Sequence, residues 1–234
     1  EFALQHLPNE DRRFIAMTTF VLGVATFVHD FKSGRDLVAQ SIPMLDADGN
    51  VLMALNARDL LCSFYMHEGR LHEAAQICEA VERSALGRGD IASGLINITM
   101  ATVLWEWNEI EEAERRILRA VEVAQRQGIL TSEFIVRLHL ATIRASQGRT
   151  LEALAMFNQI DAEAREQNLV GMFDNDVDTV RAILHIKLGQ LEPAIQWARD
   201  KGYNVNDEFR LTQGLHYRAY TRLLLAQGRT DAAV

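Results

Sequence analysis

The chain has 234 residues, of which 48% are hydrophobic and 24% charged, and its formal net charge at pH 7 is -8. This composition allows a soluble chain with a hydrophobic core, and the acidic balance argues against direct contact with nucleic acid, which requires a basic face. The longest apolar run, at residues 20–28, is too short to cross a membrane. Cys62 and Cys78 are too few for a disulfide framework, so we expect buried free thiols and a cytoplasmic location.

The predicted elements, in chain order, are all α-helices. Alanine, leucine, glutamate and arginine are abundant, apolar residues recur at intervals of three and four, and only three prolines occur. The acidic stretch at 46–50, DADGN, lacks the glutamate of a calcium loop and is predicted as a turn between repeats. Further along, His67 and His72 are separated by Gly69, which we predict to break the helix, so they do not form a zinc-protease motif.

A Gly-x-x-x-x-Ala pattern recurs along the whole chain and predicts six helix pairs. Successive glycine positions are separated by 35, 39, 40, 41 and 39 residues, and asparagine replaces glycine once. Either residue ends the first helix of a pair, because both tolerate the left-handed conformation, and the alanine lets the second helix pack closely. The predicted turn positions are Gly34, Gly69, Asn108, Gly148, Gly189 and Gly228.

Helix pairs of this kind have apolar faces that they bury by stacking on their neighbours. We therefore predict an all-α fold, a superhelical solenoid of about six antiparallel, tetratricopeptide-like helix pairs that form a single domain over residues 1–234. The pattern that starts at Gly228 is interrupted by the end of the chain, and the chain starts with Glu1. We interpret the sequence as a fragment of a longer protein.

The C-terminal part of the sequence is similar to one family of helical-repeat proteins. The segments that carry the similarity are AIQWARDKG at 194–202, DE at 207–208 and YTRLLLAQGR at 220–229. They resemble the repeat domain of MalT-type regulators, large ATP-dependent transcriptional activators with a LuxR-type DNA-binding domain at the C-terminus. The similarity is most specific over residues 177–233 and extends more loosely back to Phe14. The repeats are longer than the usual 34-residue tetratricopeptide and lack its proline near the repeat end.

The resemblance implies that the chain is the sensor of such an activator. In that family an ATPase and a winged-helix segment precede the sensor, and a helix-turn-helix follows it. An inducer relieves autoinhibition and permits ATP-dependent self-association on promoter DNA. The chain itself has no Gly-Lys dipeptide for a phosphate-binding loop and no basic recognition helix. We expect this part of the protein to have no cofactor, no metal site and no enzymatic activity, with the ATPase module elsewhere in the full-length protein.

Candidate binding residues lie on the first helix of each pair, which lines the concave face of tetratricopeptide-like solenoids. Counting back from each turn position selects the residues that face inward, and polar groups on an apolar wall suit a small molecule or peptide. The alternative for each residue is that its side chain is solvated or packs between repeats. A one-residue change of helical phase would move the whole set to another face of the helix. The predicted ligand-binding residues are Asp59, Ser63, Thr102, Trp105, His139, Thr142, Thr179, Arg218 and Arg222.

Two hypotheses about function follow. The first is an inducer- or partner-sensing domain of a bacterial transcriptional activator, which binds a small-molecule inducer or a regulatory protein and takes part in self-association. The alternative is a tetratricopeptide-like scaffold that binds a peptide or protein and has no regulatory role of its own. Neither hypothesis includes direct contact of this chain with nucleic acid or with a membrane.

Overall fold

The computed structural model describes residues 11–84, 90–167, 174–207 and 213–232, and these residues contain helices and no β-strand. The predicted all-α, helical-repeat fold is confirmed. No helix among the described residues is long and apolar enough to span a membrane. The α-helices are α1 (Arg12–Thr26), α2 (Phe31–Ala47), α3 (Val51–His67), α4 (Leu71–Arg83), α5 (Asp90–Glu106), α6 (Ile110–Gln127), α7 (Leu130–Ser146), α8 (Thr150–Glu166), α9 (Asp174–Lys187), α10 (Leu191–Lys201) and α11 (Gly214–Ala226), followed by a 3₁₀ helix at Thr230–Ala232.

The helices pack in pairs within two compact units, Glu1–Gly128 and Ile129–Val234. In the first unit the pairs are α1 with α2, α3 with α4 and α5 with α6, and the first helices α3 and α5 also contact each other. In the second unit α7 packs on α8 and α9 on α10, while α9 also contacts α8 and α11. Contacts between sequence neighbours are typical of stacked helical repeats. That both units form one domain over residues 1–234 stays a prediction.

The turn inside each pair from the second onward contains a residue with positive φ at the expected place. The φ angles are 73° at Gly69, 63° at Asn108, 80° at Gly148, 72° at Gly189 and 73° at Gly228. Only glycine adopts this conformation without steric cost, and asparagine is the usual substitute. Asn108 therefore turns the chain in the same way as the glycines.

These turns share one hydrogen-bonding pattern. The amide after the positive-φ residue donates to a carbonyl five residues earlier, as in a Schellman motif, so that a carbonyl group at the helix end is satisfied. The pairs are Arg70 to Tyr65 (2.8 Å), Glu109 to Leu104 (2.8 Å), Arg149 to Arg144 (3.0 Å), Gln190 to His185 (2.9 Å) and Arg229 to Leu224 (2.9 Å).

Gly34 lies inside a helix and is not a turn residue, contrary to the sequence-based prediction. It is the fourth residue of α2 and is buried, and the first pair turns at His29 instead. A Cβ atom on Gly34 would lie 2.6 Å from Cα and 2.7 Å from the backbone nitrogen of Phe27. Gly34 thus occupies the place that Ala74 has in α4, where a small residue allows close packing. His29 precedes Gly69 by 40 residues, so the first spacing agrees with the others.

The alanine of the repeated pattern is buried in the pairs that turn at Gly69, Asn108, Gly148 and Gly189, whereas Ala39, which follows the misplaced Gly34, is half-buried. Ala74, Ala113, Ala153 and Ala194 are each 0% exposed, and each is the fourth residue of the second helix in its pair. A methyl group at this place lets the two helices approach, and larger apolar side chains fill the space on either side.

The turns between pairs also use glycine. Gly49, Gly128 and Gly202 have φ angles of 71°, 63° and 71°. Residues 46–47 end α2 and residues 48–50 turn the chain between repeats, so the stretch 46–50 contains the predicted turn. Cys62 and Cys78 are buried free thiols, which the sequence also predicted.

Candidate functional site

In the first unit, one predicted binding residue lies at the contact between neighbouring first helices. The Asp59 carboxylate on α3 is half-buried, and its Oδ1 accepts a 2.6 Å hydrogen bond from the Thr99 hydroxyl on α5. The Thr99 oxygen also lies 3.0 Å from the Leu95 carbonyl oxygen. Burial raises the pKa of Asp59, and the hydrogen bond from Thr99 offsets part of this effect. Asp59 therefore joins two repeats as well as facing the predicted surface.

The other predicted residues of this unit are half-buried on the same two helices. Ser63 lies four residues after Asp59, so the two side chains share a face of α3, and Trp105 lies three residues after Thr102, so these two share a face of α5. The Thr102 hydroxyl donates to the Ile98 carbonyl oxygen at 3.1 Å, within its own helix. The contact between α3 and α5 brings these four predicted residues to neighbouring helices.

In the second unit, the predicted residues on α7 are also half-buried. The Thr142 hydroxyl donates to the Leu138 carbonyl oxygen at 3.0 Å, which is the arrangement that Thr102 has in the first unit. Burial lowers the pKa of the His139 imidazole, because the charged form loses its hydration. His139 is therefore neutral at neutral pH and has one ring nitrogen as a hydrogen-bond acceptor.

The remaining predicted residues differ sharply in exposure. Thr179 on α9 is 0% exposed, so it reaches a ligand only if the surrounding helices move apart. Arg218 and Arg222 on α11 are exposed and form no ion pair with another residue in the described parts of the chain. Their guanidinium groups remain able to bind an anion together. A ligand-binding groove built from the nine predicted residues stays a prediction.

The structure contains a cleft that the sequence did not predict. It lies between α9 and α10 in the second unit and has a volume of about 310 Å³. None of the nine predicted residues lines it, because the α9 residues that do so lie on a different face of the helix from Thr179. The lining residues are Asp178, Arg181, Ala182, His185, Pro193, Gln196, Trp197, Asp200 and Lys201.

Loose ion pairs hold the basic side chains of this cleft. Arg181 Nη1 lies 3.3 Å from Oδ2 of Asp161 on α8 and 3.7 Å from Oδ1 of Asp178. Lys201 Nζ lies 3.4 Å from Oδ2 of the same Asp178. Both contacts of Arg181 use one nitrogen, so Nε and Nη2 of its guanidinium group keep their donors.

The other polar side chains of the cleft form few hydrogen bonds among the described residues. Asp200 Oδ1 accepts a 2.7 Å hydrogen bond from Gln196 Nε2, and the carboxylate forms no ion pair with the residues that the structure describes. His185 Nδ1 lies 2.9 Å from Oε1 of Gln190. Trp197 is 7% exposed, and its indole N–H has no hydrogen-bond acceptor in the described part of the chain. Buried donors without acceptors are uncommon in folded proteins.

The described residues include no group of three or more histidine, cysteine, aspartate or glutamate side chains that is arranged to hold a metal ion. Each of the two helices that line the cleft instead carries one acidic and one basic side chain, Asp178 and Arg181 on α9 and Asp200 and Lys201 on α10, and apolar residues line the same cleft. The geometry therefore suits binding of a polar molecule.

The paired helices, the left-handed turns and the buried alanines define a helical-repeat protein of the tetratricopeptide class. The sequence profile of the MalT-like TPR region matches residues 1–234, and the chain belongs to this family. The resemblance of the sequence to a MalT-like repeat domain is thus confirmed. No match was found among curated protein sequences.

Solved structures with low sequence identity share the fold. PilF from Pseudomonas aeruginosa is 16% identical, with a TM-score of 0.55 over 95% of this chain and 88% of that chain. A signal transduction ATPase with numerous domains (STAND) and a tetratricopeptide repeat sensor, from Pyrococcus horikoshii, is 14% identical, with a TM-score of 0.52 over 95% of this chain and 34% of that one. The Q17M form of a putative kinesin light chain from Podospora anserina, which has nearly identical TPR-like repeats, is 15% identical. Its TM-score is 0.50 over 95% of this chain and 100% of that chain.

Proposed function

We propose that this chain is the sensing module of a bacterial transcriptional activator. The observation that carries the proposal is the family match over the entire chain. The STAND protein, in which a tetratricopeptide repeat sensor belongs to a signal transduction ATPase, supports the same arrangement, and the chain spans 34% of that longer protein. Because the identity is low, that similarity carries the fold alone and not the function.

In this proposal the repeats bind a small-molecule inducer or a regulatory protein in the cytoplasm. Binding changes the free-energy difference between an autoinhibited and an active form of the full-length protein. The active form self-associates in an ATP-dependent manner and activates transcription. The chain itself supplies neither a cofactor nor catalysis nor a DNA contact, since the ATPase and the DNA-binding domain are separate modules.

The chemistry of the predicted surface supports binding over a purely structural role. Asp59 is a carboxylate held in a half-buried place at a cost in stability, and such groups are concentrated at functional sites. Arg218 and Arg222 add two exposed cations four residues apart on α11. A ligand with an anionic group would interact with both guanidinium groups.

The first test is the coding sequence on both sides of this segment. A Gly-x-x-x-x-Gly-Lys-Ser/Thr loop upstream and a basic helix-turn-helix downstream are the expected result. Further helical repeats on both sides, with neither module, would contradict the proposal and favour the scaffold that binds a protein or peptide.

The second test separates sensing from scaffolding in the full-length protein. We expect a double Arg218→Ala and Arg222→Ala variant to require more inducing extract for half-maximal reporter expression, with unchanged expression in the absence of inducer. A double Arg165→Ala and Arg199→Ala variant, on second helices, is the matched control. Equal responses of both double variants and the parent would argue against these arginines as ligand contacts.

A further inference from the structure

We propose that the cleft between α9 and α10 binds a small zwitterion of the amino-acid class, with its carboxylate at Arg181 and its ammonium group at Asp200. The inference rests on the geometry of the second unit and does not depend on the proposed function. The cleft belongs neither to the predicted groove nor to the contacts between neighbouring first helices.

Arg181 supplies the place for the carboxylate. Its two ion pairs, to Asp161 and Asp178, are 3.3 and 3.7 Å long and both involve Nη1. The guanidinium group therefore keeps Nε and Nη2, the pair of donors with the geometry that a carboxylate accepts in a bidentate fashion. Its side chain is 27% exposed, which leaves the group partly desolvated and still accessible.

Asp200 supplies the place for the ammonium group. Its carboxylate accepts one hydrogen bond, from Gln196, and forms no ion pair within the described ranges of the chain. Gln196 also fixes the direction of the carboxylate, since both residues lie on α10 four positions apart. An ammonium group is the donor that would satisfy the remaining oxygen lone pairs of Asp200.

The charge balance of the lining selects a ligand with both signs of charge. The lining contains two acidic residues, Asp178 and Asp200, and two basic residues, Arg181 and Lys201, so its formal charges balance. A simple anion gains from the basic pair and is repelled by the acidic pair, and a simple cation experiences the reverse. A zwitterion with its carboxylate at Arg181 and its ammonium group at Asp200 gains from both signs of charge.

The rest of the wall sets the size and polarity of the ligand. Ala182, Pro193 and Trp197 provide apolar surface in the same lining as the charged groups. The volume of about 310 Å³ lies at the lower end of the range for small-molecule pockets, about 300–1,000 Å³. An amino acid with an aliphatic side chain fits both the volume and the apolar wall.

The test is calorimetric titration of the chain with three matched probes. L-Leucine carries both charges, 4-methylpentanoate lacks the ammonium group and 3-methylbutylamine lacks the carboxylate. We expect saturable binding of L-leucine and at least about tenfold weaker binding of the other two, because each loses one charged contact. No saturation with L-leucine up to its solubility limit, or equal binding of 4-methylpentanoate, overturns the proposal.

Substitutions of cleft residues test whether L-leucine binds in the cleft. Asp200→Asn and Arg181→Gln are each expected to weaken L-leucine binding at least about tenfold. The matched controls are Glu192→Gln and Arg199→Gln, which likewise replace a carboxylate by an amide and an arginine by glutamine, at exposed positions of α10 outside the cleft lining. Circular dichroism checks that each variant is folded. If Arg181→Gln is unfolded, the exposed Asp200 position decides, and unchanged L-leucine affinity in Asp200→Asn overturns the proposal.

Discussion

At the scale of single residues, Asp59 shows how the fold disfavours a charge. Burial raises the pKa of its carboxyl group above the ordinary value of 3.8, and the hydrogen bond from Thr99 lowers it in part. A group whose pKa is higher in the folded than in the unfolded state stabilises the fold below the unfolded pKa, and this contribution is lost as the pH rises through the folded pKa. At neutral pH the ionised Asp59 therefore decreases the free energy of unfolding.

We expect the Asp59→Asn variant to be more stable than the parent at pH 7, by about 1 kcal/mol. The amide still accepts the hydrogen bond from Thr99 and carries no charge. The gain decreases in acid, as the pH falls toward 3.8 and the parent carboxyl group becomes protonated. Urea unfolding of both proteins at pH 7 and near pH 4 measures the difference. A less stable variant at pH 7 would mean that the carboxylate has a stabilising partner.

The contribution of His139 to stability has the opposite pH dependence to that of Asp59. Burial lowers its pKa from the ordinary value of 6.5, so its contribution to stability is present above pH 6.5 and is lost as the pH falls through the folded pKa. We expect the parent to lose more stability between pH 7 and pH 5 than the His139→Gln variant, whose side chain does not titrate. Thermal unfolding at the two pH values measures this. Identical losses in both proteins would contradict a buried, neutral imidazole.

At the scale of elements, the backbones of the first helix pair lie close together at two glycines. A Cβ atom on Gly34 in α2 would lie 2.6 Å from Cα of Phe27, and one on Gly23 in α1 would lie 3.0 Å from the Gly34 carbonyl oxygen. Backbone atoms cannot rotate away as a flexible side chain does, so an added methyl group separates the helices. The two glycines therefore fix the distance between α1 and α2.

We expect Gly34→Ala to decrease the free energy of unfolding by about 1–3 kcal/mol, the usual cost of overpacking. Gly214→Ala is the matched control, because Gly214 begins α11 with nothing within 4 Å of its added Cβ. The control is expected to be as stable as the parent or up to about 1 kcal/mol more stable, since alanine has the higher helix propensity. Equal stability of Gly34→Ala and the control would contradict the close contact.

The repeat could be predicted from the sequence because a left-handed turn restricts residue type. Glycine or asparagine marks such a turn, and a buried alanine follows at a fixed distance, so the pairs from Gly69 onward are visible without a structure. The first pair was misplaced by five residues, since Gly34 satisfies the same letter pattern for a different reason. A glycine required by helix packing and a glycine required by positive φ are identical in a single sequence.

The candidate site could be predicted only in part. Counting back from the turns located the α3 and α5 residues on neighbouring helices, but it selected Thr179, which is buried. Helical phase within a turn is not fixed by the position of a glycine alone. The cleft is lined by Asp178 and Arg181, which lie on a different face of α9 from Thr179. Its second wall is α10, a second helix, and counting back from the turns selects residues on first helices only.

At the scale of the whole molecule, the two compact units contain different tryptophans. Trp105 and Trp107 lie in the first unit and Trp197 in the second. Interactions in helical-repeat proteins are mainly between neighbouring repeats, so the effect of a substitution decreases with distance along the chain. Fluorescence therefore separates the unfolding of the two units.

We expect Gly34→Ala to lower the urea midpoint reported by Trp105 and Trp107 more than the midpoint reported by Trp197. The comparison requires one background with Trp197→Phe and another with Trp105→Phe and Trp107→Phe. Each background without the Gly34 substitution is its own control. The same shift of both midpoints would show that the two units unfold as one cooperative structure.

The alkylation rate of the buried thiols reports how often a helix pair of the first unit opens. A hydrogen bond with the Cys78 thiol and burial raise the pKa of Cys62, so the reactive thiolate is scarce while α3 and α4 stay packed. Alkylation then proceeds at the pace at which this helix pair opens. A compound that binds the closed form slows the reaction by mass action. The rate of thiol loss can therefore screen a cell extract for molecules that stabilise the first unit before their chemistry is known.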